Sequence, residues 1–204
     1  MIKPNFERDR FEGQMNPEER KAIFDLIIKE KPETVFEVGT CRGGGSTYFI
    51  SCALENNDYG TLFTCENFKE FYDYAIALYN KDEEFQTLAK RIKFHFGNSL
   101  AIYPAILRQI SEDRKKASLN PLFIDFCILD GGSDSMQMVY DFAMFRPYMP
   151  VGSYLICHDW DDGKTDYIRP ILRNEHDWDM VELVKGLAIY RRKSNIHDDP
   201  NHCT

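Results

Sequence analysis

No apolar run in this 204-residue chain approaches the ~18 residues that a membrane-spanning helix needs, and the opening stretch Met1 to Asp9 holds no apolar leader core. A bilayer is therefore not the expected surroundings, and a cytoplasmic setting is. Basic charge is also scarce: 25 Lys and Arg stand against 33 Asp and Glu, for a formal net charge of -8. A net acidic surface is not drawn to a phosphate backbone or an anionic membrane, so no nucleic acid and no membrane is expected as main partner. A small molecule remains, with a homo-oligomer left open. Cysteine is confined to Cys41, Cys52, Cys65, Cys127, Cys157 and Cys203, with no CxxC pair. That spacing suits neither a disulfide framework nor a zinc site, and the thiols are expected to be reduced, buried and apolar in behaviour. Internal repeats and low-complexity tracts are absent as well.

What is present suits one α/β domain over residues 1–204, since 43% of the chain is hydrophobic and the length allows a single full core. Asn16-Pro17-Glu18-Glu19 supplies an N-cap, a proline at the first helical position and a glutamate at the third, and Ile23, Leu26 and Ile27 line one face before Lys31-Pro32 ends the helix. Strand-like and helix-like segments then alternate. The strands are Thr34 to Val38, Leu62 to Cys65, Ile92 to Phe96, Phe123 to Leu129 and Tyr154 to Cys157. Helices are expected from Ser46, from Phe68 to about Asn80, from Leu100 to Asp113, from Asp134 to Arg146 and from Thr165 to Glu175. Such alternation predicts a mostly parallel sheet with helices on both faces. Trp178 to Val184 and Leu187 to Arg191, joined by Lys185-Gly186, predict a closing antiparallel hairpin. Residues 1–15 are expected to be a flexible segment or a lid, with Phe6 and Phe11 among charges, and Ser194 to Thr204 a frayed polar tail carrying His197 and His202.

Glu37-Val38-Gly39-Thr40-Cys41-Arg42-Gly43-Gly44-Gly45-Ser46 is the most informative stretch. It follows the β-rich Thr34-Val35-Phe36 and opens into an apolar helical pattern from Thr47 to Leu54. A strand that breaks on glycines and restarts as a helix brings backbone N–H groups close to a ligand. Dinucleotide loops read G-x-G-x-x-G, whereas here three residues separate Gly39 from Gly43 and an acid, Glu37, stands two positions ahead. A carboxylate at that place repels a pyrophosphate and attracts a cationic group. The bland alternative is a glycine turn that serves packing alone.

Glu37, Gly39, Gly43 and Ser46, in that order, resemble motif I of class I S-adenosylmethionine (SAM) dependent methyltransferases. Arg146-Pro147-Tyr148-Met149-Pro150-Val151-Gly152-Ser153-Tyr154-Leu155-Ile156 is similar to a segment of the small-molecule O-methyltransferase group that includes methyltransferase family 24, macrocin O-methyltransferases and cephalosporin hydroxylase-like proteins. The resemblance covers Thr34 to Arg191. It implies a Rossmann-like class I methyltransferase fold, with a mostly parallel seven-stranded sheet, a final antiparallel strand and helices on both faces. Glu66 and Asn67, directly after the second strand, would meet the ribose of the cofactor. Gly97-Asn98-Ser99 is similar to the G-D-S element along the adenine, with Asn98 in place of aspartate, although Asn98 could equally cap the helix from Leu100. The implied cofactor set is Glu37, Gly39, Thr40, Gly43, Ser46, Glu66, Asn67, Asn98, Ser99 and Asp130.

In metal-dependent relatives an aspartate after the fourth strand and an adjacent pair after the fifth hold one divalent cation. Those places are Asp130 and His158-Asp159 here, so the resemblance implies a catalytic and metal set of Asp130, His158 and Asp159, suited to Mg2+ or Mn2+. The expected activity is metal-assisted transfer of methyl from SAM to a small hydroxylated acceptor, a sugar or natural-product intermediate. The chain departs from its relatives at Gly132 and Ser133, where a second carboxylate, a histidine or a lysine often stands. His158 acting as base in a metal-free site is one alternative. Others are a catalytically degenerate binding protein of the same fold, in which the three residues only cap helices and satisfy loops, and a nicotinamide dehydrogenase, which the glycine spacing and the hairpin disfavour. An aromatic content of 14% fits a ring-bearing acceptor or simply a filled core.

Overall fold

The computed structural model describes residues 2–7, 14–132 and 134–194. Ser133, Phe11, Cys203, His197 and His202, and most of the tail, lie outside the described residues. Seven strands form one sheet: β1 (Thr34–Val38), β2 (Thr61–Glu66), β3 (Ile92–Phe96), β4 (Phe126–Leu129), β5 (Tyr154–Cys157), β6 (Trp178–Val184) and β7 (Leu187–Arg192). Their order is β3-β2-β1-β4-β5-β7-β6, parallel except for β7, which runs antiparallel to both β5 and β6. The hairpin closes where Val184 faces Leu187, and Lys185 takes the left-handed conformation that the tight turn demands.

Helices α1 (Pro17–Glu30), α2 (Ser46–Asn56), α3 (Lys69–Tyr79) and α4 (Glu83–Ala89) cover one face, and α5 (Ser99–Lys116), α6 (Ser135–Phe145) and α7 (Ile168–Asn174) the other. β1, β4 and β5 are buried along their whole length, which is why they read as continuous apolar runs rather than as alternating ones. Val35, Ile128 and Ile156 join the core under α1 and α2, while Phe36, Cys127 and Leu155 join the core under α5 and α6. The five described cysteines are all free. Among the described residues no helix is long and apolar enough to cross a membrane.

Among the differences from the sequence expectation, three stand out. The helix α4 was not expected; Asp82 caps it by accepting from the Phe85 N–H, and only Phe85 and Leu88 anchor it. β4 begins at Phe126 rather than Phe123, because the N–H groups of Phe123 and Ile124 both bond to the Tyr148 carbonyl and not to a neighbouring strand. Asp125 then turns the chain into the sheet by accepting from the N–H groups of Glu33 and Thr34. Finally, the helix expected from Thr165 begins at Ile168, after a separate 3-10 turn at Gly163–Thr165. That turn carries a lysine that matters below.

The strand order reverses between β1 and β4, and a crevice opens there at the carboxyl ends of the strands, where sheets of this type bind ligands. The described ends of the N-terminal segment both touch this framework. Phe6 stacks on Phe49 of α2 at 5.4 Å between ring centres, and Gln14 and Met15 form part of the crevice wall.

Candidate active site

The crevice has a volume of about 470 Å³, within the ~300–1,000 Å³ common for small-molecule sites. One end is built by the turn after β1. Gly39 and Thr40 both donate N–H bonds to the Cys65 carbonyl, which ties the turn to β2. Gly39 sits at φ +101, and a Cβ there would lie 2.8 Å from the Asp130 carbonyl oxygen, so only glycine lets β1 and β4 end side by side. At the end of β2, Glu66 accepts from the Cys41 N–H at 2.8 Å and the Phe68 N–H at 2.8 Å, fixing its carboxylate on the wall. Each oxygen retains a lone pair for a hydroxyl donor.

Gly39, Thr40, Ser46, Glu66, Asn67, Asn98, Ser99, Asp130, His158 and Asp159 all line the crevice. Two of the sequence candidates do not. Glu37 is wholly buried beneath the turn, where it accepts from the hydroxyls of Thr47 (2.7 Å) and Thr64 (2.6 Å). Burial pushes its pKa up to about 7, against the opposing hydroxyls of Ser46, Thr47 and Thr64. Gly43 faces α3 instead: its carbonyl accepts from the Tyr79 hydroxyl, and a Cβ would meet the Tyr79 ring at 3.0 Å. Both residues shape the turn from behind. Asn98 caps α5 through the Leu100 N–H at 2.9 Å, and Ser99 donates to Asp141 at 2.5 Å, so their side chains already have local work.

The other end is a charged cluster at the ends of β4 and β5. His158 is 5% exposed, and its Nδ1 lies 2.9 Å from Asp130 Oδ1 and 3.3 Å from Asp159 Oδ1. Its Nε2 lies 3.2 Å from Glu19 Oε2. Ionised carboxylates only accept, so a ring placed between them must donate from both nitrogens and is an imidazolium. Burial opposes that charge, but Asp130, Asp159 and Glu19 outweigh it and push the His158 pKa up to about 11. His158 in turn holds Asp159 below the usual carboxylate range. Asp159 itself takes a left-handed φ of 53, which turns its carboxylate back toward the cluster.

Two members of the cluster have no counterpart among the sequence candidates. Glu19, which the sequence shows only as a capping residue of α1, is buried, accepts from the Asn16 N–H at 2.8 Å, and also accepts from the Gly186 N–H at 2.8 Å. Lys164, from the 3-10 turn, is 8% exposed and lines the crevice, with its ammonium 2.8 Å from Asp130 Oδ1 and 2.7 Å from Asp159 Oδ2. Its burial disfavours the charge, and Asp130 and Asp159 reverse that, raising the pKa. A lysine near a double aspartate is a common solvated pattern, so nothing local in the sequence marks it.

The cluster tests the expected metal directly. Asp130, His158 and Asp159 can each offer a ligand atom within 4.8 Å of the others. Yet both ring nitrogens of His158 face carboxylates of the protein, and Asp130 Oδ1 lies within hydrogen-bond reach of both His158 and Lys164. A divalent ion there would stand beside the buried Lys164 ammonium. The residues fit their own lysine rather than a metal.

A pH effect on stability follows. The folded pKa of His158 is raised above its ordinary value of 6.5, so its stabilisation is complete below about pH 6.5 and is lost as pH rises toward 11. Urea midpoints are expected to decline between about pH 6.5 and pH 8.5, below the range where the buried thiols begin to add their own loss, and His158→Gln is expected to remove most of the slope there. Equal slopes in the two proteins would refute the assignment.

A family model described as a methyltransferase domain matches residues 36–160. The O-methyltransferase TomG from Streptomyces achromogenes, involved in tomaymycin synthesis and solved with SAM, superposes with a TM-score of 0.65 at 17% identity, covering 88% of this chain and 82% of that one. An O-methyltransferase from Bacillus cereus, solved with S-adenosylhomocysteine (SAH), gives 0.64 at 19% identity over 88% and 82%. A methyltransferase from Geobacter sulfurreducens gives 0.64 at 12% identity over 95% and 92%. No curated protein matches the chain.

Proposed function

This chain belongs to the methyltransferase-domain family, and we propose that it transfers methyl from SAM to a hydroxyl oxygen of a small acceptor. Bound SAM supplies an electrophilic methyl on a sulfonium. The observation that carries the reading is the joining of two unlike ends in one crevice: a glycine turn with Glu66 after β2, suited to a nucleoside, and a buried charge cluster after β4 and β5. Neighbours solved with SAM or SAH on the same fold support the choice of cofactor.

In this reading Glu66 accepts from the ribose hydroxyls, and Asn67 and Asn98 border the base. The acceptor hydroxyl lies against Asp159 and Lys164. As its oxygen bonds to the methyl carbon, the hydroxyl becomes an oxonium far more acidic than any carboxylic acid, so even a carboxylate held below its usual range can take the proton. Asp159, the more exposed of the two aspartates, is assigned that role. The S–CH3 bond breaks with its electron pair remaining on sulfur, leaving the thioether.

Calorimetry with SAM, followed by SAH release over a panel of hydroxylated acceptors with and without EDTA, tests this. Cofactor binding with no turnover on any acceptor would favour the binding-protein alternative, for which the bare Gly132 at the mouth is the motivating feature. Tight NAD binding and silence toward SAM would overturn the family-based reading of the cofactor. Glu66→Gln is expected to weaken SAM binding by roughly 10–100-fold, the ~1.4–2.8 kcal/mol of a charge-assisted hydrogen bond, and to lower the melting temperature by a few degrees, because the amide can accept from only one of the two N–H groups of Cys41 and Phe68.

A further inference from the structure

We propose that the Lys164 ammonium is the resident cation of this site, standing between Asp130 and Asp159 where a divalent ion would otherwise sit, and that it presents a hydrogen bond to the acceptor oxygen. The proposal rests on the O-methyltransferase reading for the acceptor, but its cation half can be tested without it. Two observations carry it. First, Lys164 reaches both carboxylates at once, 2.8 Å to Asp130 and 2.7 Å to Asp159, from a turn that is anchored for the purpose. The Thr165 hydroxyl donates to the Trp160 carbonyl at 2.7 Å, Arg169 donates to the same carbonyl at 2.8 Å, and the Trp160 N–H bonds to the Gly186 carbonyl at 2.8 Å. A long, flexible side chain emerging from a pinned turn and buried to 8% exposure is not a stray surface charge.

Second, the ligand atoms that a metal would use are already engaged within the protein. Asp130 Oδ1 lies within hydrogen-bond reach of both His158 Nδ1 and Lys164 Nζ, Asp159 lies 3.3 Å from His158 and 2.7 Å from Lys164, and Glu19 on α1 lies 3.2 Å from the other ring nitrogen of His158. Displacing Lys164 would restore a cation-hungry pair of aspartates. An ammonium has three N–H bonds, and the two aspartates take two. The third is available to an oxygen in the crevice that Lys164 lines, where it would hold the acceptor hydroxyl in place with its O–H turned toward Asp159.

Manganese EPR decides the matter, because the signal of free aqueous Mn2+ disappears when the ion binds. Purified protein at neutral pH is expected to leave the signal intact at up to several equivalents of Mn2+. Lys164→Met, which keeps the side-chain bulk and removes the charge, is expected to take up about one equivalent and to lose at least 100-fold in SAH release. Stoichiometric Mn2+ binding by the unaltered protein would overturn the proposal, as would a folded Lys164→Met protein that binds none. Should Lys164→Met fail to fold, Lys164→Gln with the same readout replaces it, and the unaltered protein remains a test by itself. SAM calorimetry on the same samples reports the parent reading independently: silence toward SAM with the expected Mn2+ pattern would sink the reaction and leave the resident cation standing.

Discussion

Asp130→Asn is expected to lower the unfolding free energy by about 3 kcal/mol and kcat/KM by at least ~100-fold. Asp130 Oδ1 is the one atom that meets both His158 and Lys164, and removing one partner of a buried ion pair typically costs ~3–5 kcal/mol. The lower figure applies because each cation keeps another carboxylate, Glu19 and Asp159 for the imidazolium and Asp159 for the ammonium. The activity loss follows from misplaced donors, since ~2.7 kcal/mol of transition-state stabilisation corresponds to a hundredfold in rate. Urea denaturation and steady-state kinetics provide the measurement. A double variant with Lys164→Met should cost less than the two single changes added together, because the ammonium that Asp130→Asn strands is then gone. A stability change under ~1 kcal/mol with near-normal turnover would show that the cluster is ornamental.

Gly39→Val is expected to cost a similar ~3 kcal/mol and to abolish measurable SAM binding. Its φ of +101 is a conformation that a β-branched residue adopts only under strain of order ~1–3 kcal/mol, and a Cβ would lie 2.8 Å from the Asp130 carbonyl oxygen. Backbone, not a yielding side chain, is what the new atom meets, so the ends of β1 and β4 must part and the crevice between them must change shape. Gly163→Ala is the control: its Cβ would meet nothing nearer than Asp166 Oδ2 at 3.8 Å, and near-normal stability is expected. Equal effects from the two substitutions would refute the steric account.

The strand and helix order was legible because it is written locally. Period, caps and the Lys185-Gly186 turn lie within a few residues of what they determine, and the antiparallel β7 follows from a two-residue connection. The helix α4 was missed because two buried side chains in a seven-residue segment rich in acid leave little periodic signal. β4 was drawn three residues too long because Phe123 and Ile124 look like a strand and are diverted by a single carbonyl, that of Tyr148. At the site, position after a strand end located Glu66, Asp130 and His158 on one crevice, while Glu37 and Gly43, which match a pattern as well as any, stand behind its wall. Glu19 and Lys164 were illegible for a different reason. Glu19 meets His158 across 139 residues and Lys164 meets Asp130 across 34, and although Lys164 also reaches the nearby Asp159, no local rule predicts which glutamate or lysine will be folded inward.

Glu19 links the first helix to the last turn of the sheet, gripping the Gly186 N–H with one oxygen and His158 with the other. During synthesis on a ribosome the turn after β1 emerges before its neighbour β4, and Glu19 waits longest of all for the Gly186 N–H of the final hairpin. Contacts so distant along the chain are also the slowest to form in refolding. A copy truncated before the hairpin would leave β5 without its antiparallel neighbour and Glu19 without its backbone anchor, so the charge cluster is completed only by the last strands to leave the ribosome.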